Sequence, residues 1–108
     1  MQYRLDYNIS SGAMKITLNT DTLSTTVKAF QSEFIDKIQN DTRKWTHVTI
    51  DLTKSKMIDA AGIKLVLSLM NVIQTKNIRP EIMVKNAYVL KILNISLINN
   101  KAKLVLVE

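Results

Sequence analysis

Apolar and polar residues alternate along Tyr3, Leu5, Tyr7 and Ile9, and again along Met14, Ile16 and Leu18 after the break Ser10-Ser11-Gly12. A period of two sends one set of side chains to a buried face, so this stretch predicts an N-terminal β-hairpin. Asn19-Thr20-Asp21-Thr22 interrupts the period, and Leu23, Val27, Phe30, Phe34 and Ile38 then recur at helical spacing. That spacing predicts an amphipathic helix capped by Asp21 or Thr22, whose oxygens can accept from the unpaired N–H groups of its first turn. A polar turn, Asn40 to Lys44, leads into a strand at Val48, Ile50 and Leu52. A second helix is predicted from Ala60 to about Lys76, where Asn77-Ile78-Arg79-Pro80 stops it. A short strand Ile82–Val84, a short helix Tyr88–Leu93 and a closing strand from Lys103 to Glu108 complete the order β-β-α-β-α-β-α-β. Strands that alternate with helices pair in parallel through right-handed crossovers. The expected fold is α/β: one domain over residues 1–108, with a mixed sheet of about five strands covered by helices.

The second helix is apolar around more than half its circumference. Gly62, Val66, Leu69 and Ile73 form the centre of the face expected to be buried, with Ile63, Leu67 and Met70 along one edge of it. Lys64, Ser68, Asn71 and Thr75 make a polar stripe beside that edge. A helix in a one-sided layer needs only an apolar stripe, so the excess is either edge core or a docking surface. Gly62 in a first turn is unfavourable relative to alanine, which points to a close backbone approach or to packing against the sheet.

The 46% of hydrophobic residues, with only two glycines and one proline, describe a folded globule. The longest apolar run, Ile63 to Ile73, is broken by Lys64, Ser68 and Asn71 and falls short of the ~20 residues that span a bilayer. The opening Met1-Gln-Tyr-Arg-Leu-Asp has no apolar core of a signal peptide, and a cytoplasmic protein without direct membrane insertion is expected. With no cysteine there is no disulfide, thiolate nucleophile or cysteine metal ligand.

Net charge is +6. Twelve of the fifteen basic residues are lysine, and they are spread along the chain, whereas phosphate and base recognition favours clustered arginine. A solvated basic surface is therefore expected, and no nucleic-acid partner. Asp21 and Asp59 both fall at strand-to-helix turns, where ligands of open α/β sheets tend to bind. Two carboxylates could serve acid–base work or hold Mg²⁺, but no third ligand and no phosphate-cradling glycine loop accompany them. Asp59 is accounted for as a helix cap, since a helix start favours negative charge. His47, the one histidine, has no nucleophile or second ligand beside it and reads as structural. No catalytic residue, metal or cofactor is predicted.

Val48 to Met70, a strand followed by Asp59-Ala60-Ala61-Gly62 and a helix, closely resembles the signature of the STAS family, the bacterial anti-sigma-factor antagonists and their relatives. The likeness covers nearly the whole chain. Asn19–Thr22 matches the family's acidic turn before its first helix, and Ala87 to Leu97 its helix after the fourth strand. The resemblance implies a STAS-like fold and a non-enzymatic protein-interaction module whose partner-binding residues are Asp21, Thr22, Asp59, Ala60, Ala61, Gly62, Ile63, Lys64 and Leu67. In the family, the residue before this glycine carries a regulatory phosphate. Here it is Ala61, which has no hydroxyl, and none of Thr53, Ser55 and Ser68 stands in its place. The implied partner is an anti-sigma factor with a kinase-type ATP-binding fold. The alternative is a regulatory STAS subunit of an ABC-type lipid transporter, with a transporter ATPase as partner. Lys54, Lys56 and Lys64 around the signature read as a solvated rim that could attract an acidic partner or a nucleotide phosphate. A homo-oligomer is left open.

Overall fold

A computed structural model describes residues 2–23, 28–96 and 100–108. Strands β1 (Gln2–Asn8) and β2 (Ala13–Asn19) form the expected antiparallel hairpin. Its turn closes with the Gly12 N–H donating to the Asn8 carbonyl at 2.8 Å. Gly12 holds φ at +76°, a region costly for residues with a Cβ. Ile9 was expected in the alternation but lies in this turn, 89% exposed, because the register pairs Asn8 with Ala13 and ends the ladder there.

The chain continues through β3 (Thr22–Leu23), α1 (Lys28–Gln39), β4 (His47–Asp51), β5 (Met57–Ile58), α2 (Ala60–Gln74), β6 (Glu81–Val84), α3 (Ala87–Ile95) and β7 (Lys103–Leu106). The main sheet has the order β1-β2-β4-β6-β7, antiparallel in its first pair and parallel in the rest. Strands β3 and β5 make a separate two-stranded parallel ribbon.

That ribbon corrects the predicted start of the first helix. Thr22 and Leu23 are extended and pair with Met57 and Ile58, so neither Asp21 nor Thr22 caps α1. Leu23 is fully buried, as its place in the helical spacing required, but from a strand. Phe34 and Ile38 are buried on α1 as expected, whereas Val27 and the side chain of Phe30 fall outside the described residues. At the far end of α2, Asn77 adopts φ 59°, a left-handed stop that asparagine tolerates.

Register explains the layers. Met14, Ile16, Val48, Ile50, Ile82 and Val84 share one face of the sheet and join a single buried cluster with Phe34, Ile38, Leu69, Ile73, Val89 and Leu93 of the helices. The other face runs Lys15, Thr49, Glu81, Lys103 across four strands, so unlike charges sit near one another where the sheet is polar.

At the amino ends of the parallel strands, a cluster of charges and rings closes the core. The Arg43 guanidinium grips the Asp41 carboxylate at 2.6 Å and lies 4.7 Å from the centre of the Tyr7 ring. Lys76 Nζ sits 4.6 Å from the centre of the buried Trp45 ring and donates to the Asp41 carbonyl at 2.9 Å. The turn between α1 and β4 is thereby tied to the end of α2, with a cation over an aromatic face at each point. The Arg43 hydrogen bonds hold the Asp41 carboxyl below its ordinary value of 3.8, against the opposing effect of burial.

A carboxylate depressed in the folded state stabilises above its unfolded pKa, and that contribution disappears as pH falls through the folded value. In melting curves between pH 7 and 2, Asp41→Asn should lower the melting temperature at neutral pH. The gap to the wild type should begin to narrow below about pH 4, where the unfolded carboxyl takes up its proton, and close as pH falls through the lower folded value. A gap that persists at the lowest pH would assign the effect to packing instead of charge.

Candidate interaction site

Three connections meet at the carboxyl ends of the parallel strands. After β4, Asp51 Oδ1 accepts from both the N–H (2.9 Å) and the hydroxyl (2.6 Å) of Thr53, which turns the chain back. Ser55, only 1% exposed, donates its hydroxyl to the Thr20 carbonyl at 3.0 Å. The Asp21 carbonyl accepts from the N–H groups of Lys56 (2.7 Å) and Met57 (3.2 Å), and β3 and β5 pair from there. The turn after β2 and the loop after β4 are thus one hydrogen-bonded unit, although a long stretch of sequence separates them.

This unit receives the start of α2. The Asp59 carboxylate accepts from the Gly62 N–H at 2.8 Å, the cap that the sequence implies. The Asp59 N–H donates to the Leu23 carbonyl at 3.2 Å. Gly62 lies against that same carbonyl. A Cβ built on Gly62 would stand 1.9 Å from Leu23 O, far inside any tolerated contact. Of the two explanations considered for this glycine, close backbone approach is the one realised, and the neighbour is β3.

The expected site residues fall into two groups. Asp21, Thr22, Asp59, Ala60 and Lys64 are exposed, Ala61 and Ile63 are half-buried and Gly62 is buried, all around the β3–β5 ribbon and the first turn of α2. Leu67 lies nearly two turns further along the helix, half-buried against the core. The buried face of α2 is wider than expected. Met70, placed on the edge by spacing, is 1% exposed, and Leu65 is fully buried. With α1 packed on one flank, a helix buries more than its central stripe, and the apolar excess is largely core.

Pattern reading missed three members of this surface. Met57 is 53% exposed on β5, immediately before the cap, and Tyr88 is 48% exposed at the start of α3. Asn86 caps α3, accepting from the N–H groups of Tyr88 (2.9 Å) and Val89 (3.1 Å), so the helix begins at Ala87, as the family likeness implies and a residue before the spacing does, and runs to Ile95. An Asn preceding an apolar helical run was the available signal. Leu97, in the stretch matched to the family's helix, falls outside the described residues.

Electrostatics at this end are mild. Burial works to raise the pKa of Asp51, yet the Thr53 hydrogen bonds and Lys15, at 3.5 Å, outweigh it and lower the value below that of a free carboxylate. Asp21, Thr53, Lys54, Lys56 and Lys85 line a cleft of about 480 Å³. His47 stands at the opposite end of β4, with Nδ1 3.0 Å from Thr46 Oγ1, away from every candidate residue.

A two-layer α/β unit with a capped helix start presented on a strand-paired loop defines the class of the fold. The sequence matches the STAS domain family over residues 4–107, and the chain belongs to that family. Its fold is similar to that of a Thermotoga maritima protein classed as an anti-sigma factor antagonist, with a TM-score of 0.71, 11% identity, and coverage of 95% of this chain and 85% of the other. The anti-sigma factor antagonist SpoIIAA in its unphosphorylated form gives 0.69 at 16% identity, covering 96% and 88%. The murine anion transporter Slc26a9, in its inward-facing state, gives 0.66 at 14% identity, covering 90% of this chain but 17% of the transporter. No curated protein sequence matches this chain significantly. The expected fold is therefore the one observed: a five-stranded mixed sheet with helices and an N-terminal hairpin.

Two substitutions test the helix start. Gly62→Ala should destabilise by at least about 1–3 kcal/mol, because the methyl group meets an immovable backbone oxygen. Helix propensity alone would make the same change stabilising by up to ~1 kcal/mol, so the sign of the shift in denaturation midpoint decides between them. Asp59→Ala should cost about 1 kcal/mol through the lost cap.

Proposed function

We propose that this chain is a non-enzymatic protein-interaction module of the anti-sigma-factor-antagonist kind, working without the family's phosphate switch at position 61. Asp21, Thr22, Asp59, Ala60, Ala61, Ile63 and Lys64 form the partner surface, extended by Met57, while Gly62, expected to contact the partner, is buried and only shapes that surface from beneath. Leu67 joins it only at its half-exposed edge. The observation that carries the reading is the exposed Met57 directly beside the capped, half-exposed helix start. Large apolar side chains near a rigid backbone feature are what a fitted interface buries.

The partner in this reading is an anti-sigma factor with a kinase-type ATP-binding fold. A phosphate at the helix start would bring about two negative charges into the fitted surface and oppose binding. Ala61 cannot accept one, and binding then follows the concentrations of the two proteins. Ser55 is no substitute in the folded chain, since its hydroxyl is buried and bonded to Thr20. A second reading is a regulatory STAS subunit of an ABC-type lipid transporter, with a transporter ATPase as partner; the likeness to the anion transporter Slc26a9 supports no more of it than that this fold occurs within a transporter. Both readings place the protein in the cytoplasm.

Isothermal titration against a purified anti-sigma factor and a transporter ATPase from the same organism separates the two. For whichever binds, Met57→Lys should leave the denaturation midpoint within about 0.5 kcal/mol and weaken the complex by tenfold or more. Ala61→Asp should also weaken it while sparing the fold, because an acid is tolerated in a helix's first turn. Incubation with kinase and ATP should leave the intact mass unchanged. Stoichiometric phosphate accompanied by loss of binding would show a switch at another residue.

A further inference from the structure

The cleft beside the helix start carries three lysines brought together from two separate connections. Lys54 and Lys56 come from the loop after β4, and Lys85 from the turn after β6. All three are exposed, and none forms an ion pair among the described residues. The backbone beneath them is held tightly. Ser55, between the two loop lysines, is buried with its hydroxyl on the Thr20 carbonyl, and its N–H donates to Leu52 at 3.0 Å. Lys56 is anchored through its own N–H to Asp21, and Lys85 directly precedes the Asn86 cap. Positive charge is therefore fixed in place by the fold, with only the flexible lysine stems left to adjust. Lys64, exposed on the first turns of α2, adds a fourth charge at the same end of the sheet.

We infer that this cleft receives an acidic segment of the protein partner, a stretch of Asp or Glu side chains lying across Lys54, Lys56 and Lys85. This rests on the interaction reading above and specifies the partner's chemistry. A protein segment fits better than a nucleic acid for two reasons. The cleft has no arginine, the side chain suited to gripping phosphate with two parallel hydrogen bonds. Asp21 also lines it, and that carboxylate would repel a uniform polyanion but can pair with a basic or hydroxyl residue interspersed among acids. The exposed Met57 that adjoins Lys56 extends the charged cleft into the apolar surface, as a polar rim adjoins an interface centre.

The probe is an acidic peptide with interspersed hydroxyl and basic residues, Glu-Asp-Ser-Glu-Lys-Glu-Asp, titrated into the ¹⁵N-labelled full chain and followed by amide chemical shifts. The expected result is saturable shifts confined to residues 53–57 and 85–88, weakening as salt shortens the Debye length to about 8 Å at 0.15 M. The triple variant Lys54→Glu/Lys56→Glu/Lys85→Glu should lose them. The equally charged control Lys44→Glu/Lys101→Glu/Lys103→Glu, at the other end of the strands, should retain them. Shifts scattered over the surface, or equal loss in both variants, would overturn the inference. So would tighter binding at these residues by oligothymidylate, pyrophosphate or phosphatidylserine vesicles. With the partner protein itself, the cleft variant should raise Kd roughly tenfold or more, the scale on which reversed charges act at a complementary interface. Binding lost in Met57→Lys but untouched in the cleft variant would overturn this inference and leave the interaction reading standing. Binding untouched in both would overturn the two together.

Discussion

The Leu23 carbonyl organises the end of the molecule where the candidate site lies. It faces the Gly62 backbone so closely that no side chain fits between them, and it accepts the Asp59 N–H. Asp59 in turn caps α2 through the Gly62 N–H, so two residues and one carbonyl set where the helix begins and how it leans on the β3–β5 ribbon. A helix start normally leaves its first N–H groups for water or side chains to satisfy. Here the cap and the strand share that task, and the first turn becomes a fixed part of the surface. Ala60 and Ala61 owe their position to a contact made by their neighbour.

The two ends of the parallel strands are built on different physics. At the amino ends, Arg43 over Tyr7 and Lys76 over Trp45 place cations against rings, and Asp41 binds both basic residues through its side chain and backbone. That end is internally satisfied. At the carboxyl ends, backbone carbonyls do the fixing, Thr20 accepting from the Ser55 hydroxyl and Asp21 from the N–H groups of Lys56 and Met57, while the lysine and Met57 side chains are exposed. Rigid backbone with uncommitted side chains is the combination that lets a surface bind without first reorganising.

Ala61 separates what the fold can support from what chemistry permits. Ala61 lies half-buried on the capped first turn of α2. The alanine removes only the acceptor for a phosphoryl group and leaves the backbone unchanged. In the proposed reading the module therefore keeps a shape suited to a partner while losing one means of release. The cleft lysines offer a different lever, because charge complementarity acts strongly on encounter rate and is screened by salt.

Periodicity and capping chemistry were enough to read the hairpin, the second helix, the order of strands and helices, and the cap at Asp59 from the residues alone. These depend on neighbours a few positions apart, where a two-residue or 3.6-residue repeat leaves a visible trace. The family signature added the candidate surface by likeness. Tertiary structure decided the rest. A two-residue strand has no period to detect, so β3 and β5 were invisible until they paired, and Thr22 and Leu23 passed for a helix start. Leu65 and Met70, on opposite edges of the buried face of α2, became core because α1 and the β3–β5 ribbon both pack on that helix, which spacing cannot see. Lys54 and Lys85 meet across one cleft only because β4 and β6 are adjacent and parallel, which puts their carboxyl ends side by side. Gly62 announced an unusual contact, but which atom it met was settled by a carbonyl on a strand that the sequence did not reveal.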